Sequence, residues 1–344
     1  MSAIAYRFIE PLDVLYLRDN KLFGDSGSFG ESMMPPWPSA AAGAIRSRML
    51  VDDDGTDLAV FAQGKAPHPT LGTPTKPGSF TLTGFYLARE TDGKHEILMA
   101  PPADLVISKP ENRQPLVSAL RPQPPASSLL SSAPLPLLPI LAQGDDRHKP
   151  VTGYWLTQTG WQKYLHGETP DGSDLIPSNR LWKTDTRVGI GMNSTTRSVE
   201  DGKLFTAQAV ALNQNIGFLT GISGAQPPTE GLLRFGGDGR AVTITLTTFE
   251  LPEPDYAAIA RQGRCRIILT APGVFPEGWK LPGTGGDNRI NFNGINARLT
   301  CAAVPRAETI SGWDLAAREG KGAPKTAQLV APTGSVYWLE ELAA

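Results

Sequence analysis

At 344 residues, with 40% apolar residues and a formal net charge of −2, the chain can bury a substantial core and is long enough for two domains. That charge balance excludes a protein that coats nucleic acid through bulk basicity, while leaving room for one local basic patch. The only cysteines, Cys265 and Cys301, have no Cys or His at zinc-ligand spacing, which gives no metal site and points to thiols in a reducing compartment.

Arg7 and Glu10 interrupt any signal-peptide core, and no apolar run approaches the roughly 20 residues that span a bilayer. The expected location is the cytoplasm, with no membrane partner. Residues 3–17 predict a strand: Ile4, Tyr6 and Phe8 alternate, and Val14, Leu15, Tyr16 and Leu17 continue the apolar run up to the polar cluster Arg18-Asp19-Asn20-Lys21. Pro35-Pro36-Trp37-Pro38 cannot be helical throughout, but Ser39 is a good N-cap for a helix over residues 40–50. Ile45, Met49 and Leu50 would face the core. Arg46 and Arg48 would lie outside, as a solvated face or a contact with RNA or a partner. Residues 79–88 alternate as a strand, Asp92-Gly93 signals a hairpin, and residues 95–99 return. Strand, helix, strand, strand is the start of a ferredoxin-like β-α-β-β-α-β unit.

Residues 101–150 hold 11 of the 31 prolines and predict an insertion without long ordered elements. It would lie on its own domain or dock on a partner, with residues 135–141 as its apolar stretch. Residues 154–166 predict a helix. Strands follow at 203–212, 216–222, 241–249, 265–270, 295–304 and 335–339, with a helix at 254–262. The expected class is α+β, as two ferredoxin-like domains: residues 1–200 with the insertion, and residues 201–344 with a glycine-rich loop.

That loop, residues 232–240, reads Leu-Leu-Arg-Phe-Gly-Gly-Asp-Gly-Arg. Glycines let a ligand approach the main chain, and successive exposed N–H groups form an anion-binding concavity. Arg234 and Arg240 would grip phosphates, and Phe235 would stack on a base. The competing reading is a tight turn entering the next strand. No nucleotide motif holds: Gly320-Lys321 lacks both the first glycine and the Ser/Thr of a P-loop, and Gly189-Ile190-Gly191 lacks the third glycine of a dinucleotide fingerprint. His68, His95, His148 and His166 sit in proline-rich or turn-like surroundings and read as surface residues without a positioning partner. Asp52-Asp53-Asp54 reads as a solvated loop after a helix.

An ordered set of short motifs resembles one family. It runs through Leu12-Asp13-Val14-Leu15, Arg18-Asp19, Phe23, Pro36-Trp37-Pro38-Ser39, Gly43-Ala44-Ile45-Arg46, Arg187-Val188-Gly189-Ile190 and Gly202-Lys203-Leu204-Phe205. It continues through Gly236-Gly237-Asp238-Gly239-Arg240, Leu269-Thr270-Ala271-Pro272, Ser311-Gly312-Trp313-Asp314 and 332–338. The family is the third subunit of the Cmr complex, the type III-B CRISPR effector, within the RAMP superfamily. The proline-rich middle is not covered.

The resemblance implies two RRM-related, ferredoxin-like domains and a non-catalytic subunit that binds the 5′ handle of the CRISPR RNA. It implies the large polymerase-like subunit and the backbone RAMP subunit as partners, with no cofactor. The RNA-binding set carried by these motifs and the glycine loop is Arg18, Lys21, Trp37, Ser39, Arg46, Arg187, Asn193, Arg197, Arg234, Phe235, Gly236, Gly237, Gly239 and Arg240. Trp37 and Phe235 are stacking candidates, each equally readable as core. Asp238 inside the loop departs from an anion site unless it turns away or pairs with Arg234 or Arg240. The alternative is a RAMP endoribonuclease that processes precursor CRISPR RNA.

Overall fold

The computed structural model describes residues 3–17, 29–111, 114–126, 130–141, 149–193, 195–314 and 323–343. Its main elements begin with β1 (Ala5–Pro11), α1 (Pro38–Asp52), β2 (Thr81–Thr91) and β3 (Lys94–Leu98), then β4 (Leu105–Ser108), β5 (Leu116–Gln123), β6 (Leu138–Leu141) and α2 (Gln158–Leu165). There follow β7 (Trp182–Met192), β8 (Val199–Leu212), β9 (Ile216–Ser223), β10 (Glu230–Arg234) and β11 (Ala241–Thr247). The last are α3 (Tyr256–Gln262), β12 (Cys265–Ile268), β13 (Arg289–Phe292), β14 (Ile295–Ala303) and β15 (Val336–Glu340). The class is α+β. No helix among the described residues is long and apolar enough to cross a membrane.

Two compact units interleave along the chain. The first takes described residues from 1–97, 179–250 and 314–323; the second takes those from 98–178, 251–313 and 324–344. This differs from a single boundary between residues 200 and 201. The reason is strand pairing: β9 and β11 flank β1 on either side, so the chain must return to the first unit after residue 200.

The first unit is built on a six-stranded sheet in the order β10-β11-β1-β9-β2-β3. β9 is antiparallel to both β1 and β2, so β1 and β2 run the same way and α1 connects them. β9 is buried from Ile216 to Ile222, as befits a central strand covered on both faces. α1 buries Ala41, Ala44, Ile45 and Met49, one stripe at helical spacing. The helix starts earlier than expected. Pro38 takes the first helical position, where its fixed φ is favourable and its missing N–H costs nothing, so Trp37 is the N-cap residue and Ser39 lies exposed within the first turn. Asp92 and Gly93, at φ 51° and 73°, make the expected two-residue hairpin between β2 and β3. Two features depart from the expected β-α-β-β-α-β order. The strand between β1 and β2 is the distant β9, with β3 at the outer edge, and β9 connects to β11 through strand β10 instead of a helix.

The second unit carries a four-stranded sheet, β12-β15-β14-β13, and a three-stranded sheet, β4-β5-β6. The proline-rich stretch thus contributes regular structure, though in short strands, and Pro122 even stands opposite Pro139. Leu135 is buried with Leu299, Tyr337 and Leu339. The Leu137 amide donates to the Thr300 carbonyl at 3.0 Å. The apolar run 135–141 therefore packs into its own unit. Residues 154–166 divide: Tyr154–Leu156 is a strand, and α2 begins after Thr157, whose hydroxyl accepts from the Gly160 amide.

A buried polar clasp joins three elements of this unit. Asp104 and Tyr164 are fully buried. The Tyr164 hydroxyl donates to Asp104 at 2.7 Å, Arg266 Nη1 donates to the other carboxylate oxygen at 2.8 Å, and Arg266 Nη2 donates to the Tyr164 carbonyl at 3.1 Å.

Candidate functional site

The glycine loop is the turn of the β10–β11 hairpin. The Phe235 amide donates to the Arg240 carbonyl at 2.8 Å and closes it. Gly236, Asp238 and Gly239 take φ of 76°, 60° and 64°. At Gly236 the glycine is doubly required, because a Cβ would also fall 2.7 Å from the Tyr16 carbonyl oxygen. Asp238 holds a left-handed conformation that aspartate tolerates better than most residues.

β1 ends at Pro11, the chain bends at Leu12-Asp13, and Leu15 then pairs with Val210. The next residue, Tyr16, lies opposite Gly237, whose amide donates to the Tyr16 carbonyl at 2.8 Å. That amide is committed within the fold, which corrects its expected role in an anion-binding concavity.

Two arginines far apart in sequence converge on Tyr16. The Arg240 guanidinium lies over the tyrosine ring at 5.1 Å. Arg187, on β7, donates from Nη1 to the tyrosine hydroxyl at 3.5 Å. Each arginine already holds a carboxylate: Arg240 Nη1 meets Asp13 at 2.8 Å, with Asp238 at 3.9 Å, and Arg187 Nε meets Asp185 at 2.8 Å. Asp238 therefore faces Arg240, one of the two arginines open to it in the sequence. The hydrogen bonds to Asp185 and then to Tyr16 raise the Arg187 pKa above its ordinary value. Arg240 Nε is buried and has no acceptor among the described residues.

The other candidates are placed differently. Phe235 is 1% exposed and stacks on Phe218 at 5.6 Å, so it belongs to the core and cannot stack on a base. Trp37 is half-buried, and its indole N–H donates to the Met33 sulfur. Arg46 is exposed on α1 with its guanidinium over Phe80 at 4.8 Å. Asn193 shapes the tip of the β7–β8 hairpin, accepting from the Thr195 and Thr196 amides at 2.9 and 3.0 Å. Arg197 sits in that tip at φ 53°, exposed. Arg234 is exposed at the end of β10. Among the described residues, no hydrogen bond or ion pair joins Arg46, Arg197 or Arg234 to the Tyr16 cluster. Arg18 and Lys21 lie outside the described residues.

Sequence reasoning missed Tyr16 and Asp13 as site residues. Tyr16 was hidden in an apolar run that reads as one strand. The signal was Pro11-Leu12-Asp13, a break that lets the chain leave β1 and run beside the hairpin turn.

Two histidines expected at the surface are largely buried. His68 is 9% exposed, and its Nδ1 accepts from the Thr70 and Leu71 amides at 3.2 and 3.1 Å. Its proton is thereby placed on Nε2, 3.7 Å from Asp53. Asp53 itself is held by the Thr56 hydroxyl and the Gly55 amide, which lower its pKa. His95 packs on Phe8 at 4.3 Å, and burial lowers its pKa.

The family model of the CRISPR-associated protein Cas_Cmr3 matches residues 7–344. No match was found among curated proteins. Similar chains occur in a type III-B Cmr-beta complex bound to cognate target RNA and AMPPnP, and in one bound to cognate target RNA. Each is 13% identical over 97% of this chain and 86% of the other, with TM-scores of 0.48 and 0.47.

Proposed function

The chain belongs to the Cas_Cmr3 family and is a type III-B effector subunit, and from that premise we propose that it is the non-catalytic subunit that holds the 5′ handle of the guide RNA. In this reading it also bridges the large polymerase-like subunit and the backbone subunit. The observation that carries the RNA reading is the meeting of Arg187 and Arg240 on Tyr16, beside a turn whose Gly236 and Gly237 pack closely against the Tyr16 backbone. A ring with a polar tip and two flanking guanidiniums offers a base a stacking face and a backbone phosphate a charged grip. We read β11-β1-β9-β2 with α1 as the ferredoxin-like element of the first unit, elaborated at both edges.

The non-catalytic reading has support in the histidines. His68 spends its lone pair on two backbone amides, so it has none left with which to take a proton from a nucleophile. His166 is exposed at the end of α2, with Gln162 at 2.7 Å and no carboxylate ion pair among the described residues.

The test is binding of handle RNA and a scrambled strand by the assembled complex at several salt concentrations. Arg240→Ala is expected to weaken handle binding and reduce the salt slope of log K by about 0.7, the value for one phosphate contact on a single strand. Binding like wild type at every salt concentration places the RNA elsewhere. Incubation of the purified chain with precursor repeat RNA, without metal, separates the alternative: no cleavage is expected, and cleavage abolished by His166→Ala establishes the endoribonuclease.

A further inference from the structure

Arg240, the central cation of the candidate site, is not free. Its Nη1 is 2.8 Å from Asp13 and its Nη2 is 3.9 Å from Asp238. With Arg187 and its partner Asp185, the cluster around Tyr16 holds two cations and three carboxylates among the described residues, so these side chains give it no excess of positive charge. A phosphate added to that arrangement meets net negative charge unless a carboxylate leaves. Asp13 is placed to leave. Its side chain is 63% exposed, it sits in a bend and not in a strand, and an exposed ion pair contributes little to stability. A phosphodiester oxygen is the same kind of anionic acceptor as Asp13 Oδ2, the one carboxylate oxygen that meets Arg240 Nη1.

We propose that Asp13 is an internal competitor for the RNA backbone: its carboxylate occupies the Arg240 edge that a phosphodiester takes in the bound state, with Asp238 as a weaker second competitor. This rests on the reading of Arg240 as an RNA contact. The consequence is a site that gains little from charge alone. A strand must supply a base for the Tyr16 surface as well as a phosphate before exchange is favourable, so Asp13 lowers the affinity of every strand and leaves discrimination to the bases.

The substitution that isolates this role is Asp13→Asn. Asp13 Oδ1 accepts from the Val14 amide at 2.7 Å, and an asparagine carbonyl can keep that bond while the negative charge is removed. Binding of handle RNA and of a scrambled strand by the full chain is measured against salt for wild type, Asp13→Asn, Asp238→Asn, Arg240→Ala and the Asp13→Asn/Arg240→Ala double variant. Asp13→Asn should tighten both strands about two- to fivefold at low salt, the scale of an exposed ion pair. It should steepen the salt slope by up to about 0.7. Asp238→Asn should do less, and in the Arg240→Ala background the Asp13→Asn gain should shrink to under about twofold.

If Arg240→Ala weakens binding but Asp13→Asn leaves it unchanged, the competitor is refuted and the RNA contact stands. The competitor also falls if Asp13→Asn tightens binding equally with and without Arg240, because the effect is then one of overall charge. If Arg240→Ala binds like wild type, the contact itself is refuted and the competitor with it.

Discussion

Arg240 and Arg266 face the same two partners, a tyrosine ring and an aspartate, in opposite surroundings. Arg266 lies over Tyr164 at 4.2 Å and meets Asp104 at 2.8 Å. Arg240 lies over Tyr16 at 5.1 Å and meets Asp13 at the same 2.8 Å. Asp104 is 0% exposed and Asp13 is 63% exposed. In the first group the tyrosine hydroxyl closes onto the aspartate, so both carboxylate oxygens are held. In the second, the hydroxyl turns to Arg187. One set of side chains thus performs two tasks. Without water it fixes the second unit, because no partner can be exchanged; at the surface it is a cation with a replaceable counter-charge.

The sharpest way to break this contrast is to remove each aspartate. Asp104→Ala leaves Arg266 and Tyr164 with unmet polar groups in a dry site and should destabilise the chain by about 3–5 kcal/mol. Asp13→Ala should cost no more than about 1 kcal/mol. Urea unfolding of both variants measures the difference, and equal losses would remove the distinction. Replacing Asp104 and Arg266 together by leucines should cost less than Asp104→Ala alone, since no charge is then stranded. Leu135→Ala comes next, at about 2–4 kcal/mol, because Leu135 is part of the second unit's core. A loss under about 0.5 kcal/mol would restore residues 135–141 to the role of a detachable docking segment.

The legible parts of this chain were those where period and turn chemistry agree. Asp92-Gly93 between two alternating runs gave the β2–β3 hairpin, and the strands containing residues 203–212 and 216–222 extend the expected ranges by only a few residues. β7 was illegible as a strand because Gly189 and Gly191 resemble a loop motif. In the structure the Phe205 ring and the Lys203 side chain of the facing strand lie over those two glycines, filling the space a side chain would occupy. The proline-rich stretch misled for a related reason. Proline disfavours helix and doubly paired strand, yet Pro122 fits into β5, the middle strand, because at residues 120–123 β5 pairs with β6 alone and β4 pairs only with residues 116–119. Of the site, the arginines were visible and their meeting point was not. Arg187 and Arg240 share no local pattern, and only the bend at Leu12-Asp13 brings Tyr16 between them.

The contrast should also show at alkaline pH. Burial, and then the charge of Asp104, push the Tyr164 pKa far above the ordinary 10.0 of an unfolded chain. The native state therefore keeps this phenol neutral while the unfolded state releases its proton. The stabilisation is complete below about pH 10 and is lost as pH rises above it. Tyr164→Phe should cost about 1.5–3 kcal/mol at neutral pH, because it removes a hydrogen bond to the buried Asp104 carboxylate, and should make the alkaline decline shallower. It should not abolish the decline, because burial also pushes Tyr337 up to about 12. A wild-type alkaline slope in the Phe variant would show that water reaches Tyr164.

The smallest effect is the most telling for function. Asp13→Asn keeps the acceptor for the Val14 amide and loses only the charge facing Arg240. Its cost to stability should be a few tenths of a kcal/mol at low salt. Near 1 M salt, where the Debye length is about 3 Å, the cost should vanish. Asp104→Asn should retain its larger cost across the same range, because ions do not enter its site. The salt series tests whether Arg240 can exchange partners, independently of any RNA. A salt-independent loss above about 2 kcal/mol for Asp13→Asn would mean that the pair is structural. Asp13 could not then yield to a phosphate without unfolding part of the hairpin, and Arg240 would be to the first unit what Arg266 is to the second.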